Sequence, residues 1–116
     1  MEYIKARGIY NKENLRAPVW AEPLTAIINN GSPFVLHAQE SHDVTVEPSY
    51  TYNILIKSPY FNVEETINID VRSKSEYTGK MIIDYAVGEN VTYLRVYLIN
   101  YLDEEVLVHE GQLWKD

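Results

Sequence analysis

From Val91 to His109 the chain reads Val-Thr-Tyr-Leu-Arg-Val-Tyr-Leu-Ile-Asn-Tyr-Leu-Asp-Glu-Glu-Val-Leu-Val-His, and this stretch limits the possible folds more than any other. Successive side chains of a strand project to opposite sides, so Leu94, Val96 and Leu98 share one face while Val91, Tyr93, Arg95, Tyr97 and Ile99 share the other. Both faces are largely apolar, which places the strand between neighbours in a sheet. An acidic turn at Leu102, Asp103 and Glu104 then sends the chain back, with Val108 expected opposite Leu98 on the core side. A two-residue turn would shift that register and flip the return strand.

The preceding segments repeat the pattern. Residues 24–28 form the first strand, closed by Asn29-Asn30-Gly31, residue types that tolerate the positive φ of a tight turn. Strands are expected at 33–38, 42–46, 50–57, 66–72 and 80–87. In 50–57, Tyr50, Tyr52, Ile54 and Ile56 share a side. In 66–72, Ile67, Ile69 and Val71 alternate cleanly with Asn68, Asp70 and Arg72. Residues 73–79 read as a polar loop, and Met81, Ile83, Tyr85 and Val87 face one way in the strand that follows. About eight strands at roughly 8–12-residue spacing, with no convincing amphipathic helix, predict an all-β, two-sheet antiparallel sandwich, Ig-like or jelly-roll-like. Its interior should join Leu94, Val96 and Leu98 to Ile67, Ile69 and Val71. Residues 1–23, interrupted by Pro18 and Pro23, are expected to be an extended N-terminal arm, with the sandwich domain occupying 24–116.

Composition narrows the classes of partner. A chain of 116 residues is the size of one domain. Ten basic and 17 acidic residues give a net charge of −7, which repels nucleic-acid phosphates and anionic lipid surfaces, and no basic run offsets it. The sequence has no cysteine, so neither disulfides nor thiolate metal sites are available and the redox compartment is left open. The N-terminus lacks the apolar core of a secretory signal, and no window approaches the ~18 apolar residues of a membrane span. The expectation is a product that folds where it is made. Asn30-Gly31-Ser32 and Asn90-Val91-Thr92 match the glycosylation pattern but read as turn chemistry in that setting.

Candidate chemistry is sparse. His37, Glu40, His42 and Asp43 gather around one turn, and all can bind a divalent ion. Their spacing matches no established ligand set, so a solvated hairpin is expected and no metal is assigned. Asp103, Glu104 and Glu105, like Glu64 and Glu65, would point in different directions and protect a sheet edge. No nucleophile lies beside a base, and there is no Gly-rich phosphate loop, so neither catalysis nor a cofactor is expected. Tyrosine stands out, at 10 copies against two Phe and two Trp. Tyr and Arg are favoured at protein interfaces, which makes Trp20, Tyr85, Tyr93, Arg95 and Tyr97 the candidate contact residues. Trp20 and Trp114 allow an alternative, a carbohydrate-binding module in which both rings stack on sugar.

The cysteine-free series of short Tyr-rich strands led by an extended arm resembles the small β-sandwich, Ig-like accessory proteins of tailed-phage virions, which decorate capsids, seat head fibres or attach tails. The resemblance is one of architecture, covering the body from Leu24 to His109. It departs from antibody-type domains in lacking a Cys pair and a Trp on a central strand, although Tyr93, just after Gly88-Glu89-Asn90, is placed somewhat like a tyrosine corner. What the resemblance implies is a non-enzymatic structural protein of the virion, or otherwise of the cytoplasm. Its partners would be protein subunits, a second copy of this chain among the options, rather than nucleic acid or membrane. The arm would drape over a neighbouring subunit. No functional residue is carried over by it.

Overall fold

The computed structural model describes residues 23–58, 64–72, 74–88 and 91–113. The described residues form an all-β sandwich of eight strands in two antiparallel four-stranded sheets. The strands are β1 (Leu24–Ile28), β2 (Phe34–Leu36), β3 (Glu40–Thr45), β4 (Thr51–Lys57), β5 (Glu64–Asp70), β6 (Tyr77–Gly88), β7 (Val91–Asn100) and β8 (Glu105–Gln112). Sheet A has the order β2-β1-β4-β5 and sheet B the order β3-β6-β7-β8, so the chain changes sheet after β2, β3 and β5. The expected arm and Trp20 lie outside the described residues, as does Trp114.

Alternation builds the core as the sequence predicts. Leu94, Val96, Leu98, Ile67 and Ile69 are buried in one cluster with Leu24, Ile54, Ile56, Met81 and Ile83, and Val71 packs half-buried against its margin. Each fully buried aliphatic side chain of this kind contributes ~1.5–3 kcal/mol over leaving it in water. Tyr52 is also fully buried, and its hydroxyl accepts a hydrogen bond from the Ser49 amide at 3.0 Å. Tyr50, expected beside it on the inward side, is instead 57% exposed, because the strand begins only at Thr51.

The turns follow local chemistry. Asn29 and Asn30 take φ of 48° and 59°, and the Gly31 amide donates to Ile28 O at 2.9 Å. Positive φ at both central residues suits the right-handed twist of a hairpin. The Asn29 side chain also reaches across to β4, accepting from the Asn53 amide at 2.7 Å. Residues 73–79, expected to be loop throughout, instead hold a 3-10 turn at Lys74–Glu76, and β6 starts at Tyr77. The strand continues through a register irregularity at Gly79, where φ is +93° and the carbonyl accepts from the Val46 amide at 2.7 Å. A Cβ there would lie 2.3 Å from Val46 O, so only glycine permits this approach.

The return strand differs from its expected register. Val106, not Val108, lies opposite Leu98, because the turn is centred one residue earlier. A shift of two positions keeps the same face inward. Between Val96↔His109 and Tyr97↔Leu107 the register then slips by one, a β-bulge that leaves Val108 as the extra residue. Val108 still packs on the core, and beyond the bulge the inward positions become His109 and Gly111, followed by the buried Leu113. Leu113 closes the end of the strand by donating its amide to Thr92 O at 2.9 Å.

Candidate functional site

The sequence's aromatic face is the outward face of sheet B. Three registered rows cross it. Ser41, Asp84, Arg95 and Glu110 form one row through all four strands. On either side run Asp43, Ile82, Tyr97 and Leu107, and then Ala86, Tyr93 and Gln112. Tyr93, Arg95 and Tyr97 are half-buried, whereas Leu107 is 47% exposed.

The middle row is polar, with its two central members, Asp84 and Arg95, withdrawn from water and Ser41 and Glu110 exposed at its ends. Asp84 is 1% exposed and accepts a hydrogen bond from the Ser41 hydroxyl. Arg95 pairs through Nε with Glu110 Oε2 at 2.5 Å, and its side chain keeps only 13% of its exposure. A buried carboxylate and a nearly buried guanidinium are tolerated when they are hydrogen-bonded and paired. Ile82, Ala86 and Ile99 on the same face are also buried, so the centre of this outward surface is largely apolar while Asp43, Lys80, Glu105 and Glu110 are exposed around it.

Tyr85 does not share that face. Its register partner is Leu94, which puts it on the inner side with 0% exposure. The reason is parity: Met81, Ile83 and Tyr85 alternate inward together, and opposing residues of an antiparallel pair share a face. Tyr85 is a core residue, and the candidate residues on this face reduce to Tyr93, Arg95 and Tyr97, with Leu107 beside them.

The residues that could have held a metal separate. His42 pairs with Ile83 and faces inward at the edge of sheet B, as does Glu40, while Asp43 faces outward. His42 Nε2 accepts from the His37 amide at 3.2 Å, and the two rings stack with centroids 6.3 Å apart. Burial holds the His42 pKa below its ordinary value, with His37 acting in the same direction and Glu40 and Asp43 opposing it. His109 behaves alike on β8, lowered by burial against the opposing charges of Glu65 and Glu110. Among the described residues no three acidic or imidazole side chains gather to hold an ion.

A second feature escaped the sequence reading. Tyr101 and Leu102, at the tip between β7 and β8, are 69% and 79% exposed. They border an open cleft of about 420 Å³ shared with Tyr77 and Val106. A larger cleft of about 540 Å³ opens between β2 and β3, walled by Ile28, Phe34, Val44 and Val46. Both lie at the end of the sandwich where β3 passes to β4 and β7 to β8.

Comparison with protein-family models, with curated proteins and with solved structures found no match to this chain. Among the described residues no helix is long and apolar enough to cross a membrane.

Proposed function

We propose that this chain is a non-enzymatic structural subunit that binds other protein subunits in a larger assembly, of the kind that decorates a capsid or attaches a head fibre or tail in a virus particle. The contact is the outward face of sheet B around Tyr93, Arg95, Tyr97 and Leu107. One observation carries the reading: two outward faces made by the same alternation differ in character. Sheet A presents Asn53, Lys57, Glu64, Thr66, Asn68 and Asp70 to water, with Ile27 and Leu55 half-buried among them and Val35 exposed on its edge strand. Sheet B surrounds one paired arginine with Tyr93, Tyr97, Ile82, Ala86, Ile99 and Leu107, and carries its exposed charges, Asp43, Lys80, Glu105 and Glu110, at the margins of the face. Aromatic residues with Arg, and few unpaired charges, are the composition of interface cores. The virion setting rests on the architectural resemblance described above.

The test is incorporation. A tagged full-length chain is followed through purification of particles from the cells that make it, and it is expected to sediment with them. Tyr93→Ser/Tyr97→Ser, and separately Leu107→Asp at an already exposed position, should remain in the free fraction with wild-type circular dichroism. A wild-type chain that stays free, or folded variants that incorporate at wild-type level, would overturn the reading.

A further inference from the structure

We infer that the turn between β7 and β8 is a second contact, separate from the sheet B face, whose Tyr101 and Leu102 side chains enter an apolar socket rimmed by Lys and Arg on a partner protein. Three observations meet at this turn.

The first is exposure. Leu102 at 79% and Tyr101 at 69% are the two most exposed of the large apolar side chains described, and they are adjacent. A single exposed apolar residue is commonplace, but two together beside the cleft lined by Tyr77 and Val106 form a continuous apolar projection.

The second is rigidity. Asn100 holds the turn from inside: its Oδ1 accepts from the Leu102 amide at 3.0 Å and the Glu104 amide at 2.9 Å, and its Nδ2 donates to Glu104 Oε1 at 2.8 Å. The Asn100 amide donates to Glu104 O at 3.1 Å, and the Asp103 amide returns to Asn100 O at 3.0 Å. Asp103 takes φ of 63°, which lets the chain reverse. The Tyr101 amide donates to Glu76 O at 3.3 Å, tying the tip to the 3-10 turn beside it. Side chains carried on a backbone already in its bound form lose less entropy on docking.

The third is charge. Glu76, Asp103, Glu104 and Glu105 are all exposed around the apolar pair, and Lys80, which shares a cleft with Asp103 and Glu105, offsets only part of their charge. Four carboxylates repel anionic lipid and nucleic acid, and a second copy of a chain of net charge −7 is disfavoured on the same ground. A socket bordered by cationic side chains gains complementarity with this rim, which favours encounter and fixes orientation.

The experiment selects a random peptide display library on the full-length chain. The selected peptides are then measured by calorimetry against wild type, Leu102→Ser and Glu104→Lys/Glu105→Lys. Peptides that combine apolar anchors with Lys or Arg are expected. Leu102→Ser should weaken them by about tenfold or more, as loss of a central interface anchor does, and the charge-reversed variant should lose their binding. Peptides without basic enrichment, or ones that bind Leu102→Ser as tightly as wild type, would overturn the inference. Sedimentation showing a dimer that Leu102→Ser dissolves would assign the turn to a second copy instead, and binding to phosphatidylcholine vesicles lost in Leu102→Ser would assign it to lipid. Particle incorporation does not enter these measurements, so either proposal can fail alone.

Discussion

Ser41 with Asp84, and Thr51 with Asp70, are the same device on opposite sides of the sandwich. In each, a hydroxyl on one strand donates to an aspartate directly opposite on the next. Thr51 reaches Asp70 at 2.9 Å in the open, on the outward face of sheet A. Asp84 is 1% exposed on the outward face of sheet B. The difference lies in the surroundings: β5 is an edge strand whose outward neighbours are Thr66 and Asn68, whereas β6 is interior and flanks Asp84 with Ile82 and Ala86. Water competes for the Asp70 carboxylate and is excluded from that of Asp84, although Ser41 itself lies exposed on the edge strand β3. A hydrogen bond weighs on stability according to what its loss would leave buried, more than according to which groups make it.

The strongest challenge to that contrast is a charge placed on each face. Ile82→Asp removes a buried side chain and sets a second carboxylate beside Asp84, so urea unfolding should show a loss of ~3–4 kcal/mol. Thr66→Asp, on the outward face of sheet A, should stay within about 0.5 kcal/mol. Similar losses in the two variants would mean that the faces are equivalent after all. Truncating the two acids sharpens the comparison at smaller scale. Asp84→Ala should cost ~1–3 kcal/mol and Asp84→Asn less, since the amide still accepts from Ser41, whereas Asp70→Ala should cost about 0.5 kcal/mol or less.

The smallest effect concerns the margins where both faces meet the core. His42 on β3 and His109 on β8 are edge-strand residues whose folded pKa lies below the ordinary 6.5. The unfolded chain therefore takes up their protons first. Stability is unaffected by them above about pH 6.5 and falls as pH drops from there towards the lowered folded values. Tm measured across this range should decline, and His42→Gln/His109→Gln should flatten the imidazole part of the decline while leaving the carboxylate part at lower pH. An unchanged slope in the double variant would show that neither ring is held neutral by its burial.

Much of the fold was legible because alternation is a local property. Ile67, Ile69, Leu94, Val96 and Leu98 are buried where their spacing puts them, and Asn29-Asn30-Gly31 turns where its residue types allow. Tyr50 was misplaced by one residue of strand boundary. Tyr85 was misplaced because nothing in a single strand states which of its sides meets the other sheet, and pairing with Leu94 settles that. The bulge at Val108 and the hydrogen bonds of Asn100 depend on distances across the hairpin, which residue order does not contain. Of the candidate contacts, Tyr93, Arg95 and Tyr97 were visible as a stripe, while the projection of Tyr101 and Leu102 passed as an ordinary acidic turn.

Period-two patterning, glycine and asparagine at the reversals and the absence of cysteine were enough to require a two-layer β fold held by packing, since strand geometry ties each side chain to a face before any partner strand is chosen. The character of those faces arose later, when pairing aligned Ser41, Asp84, Arg95 and Glu110 into one row and enclosed a carboxylate that reads, in the sequence, like any surface aspartate. Burial is a sum over neighbours from distant parts of the chain, so it exists only once the strands have met.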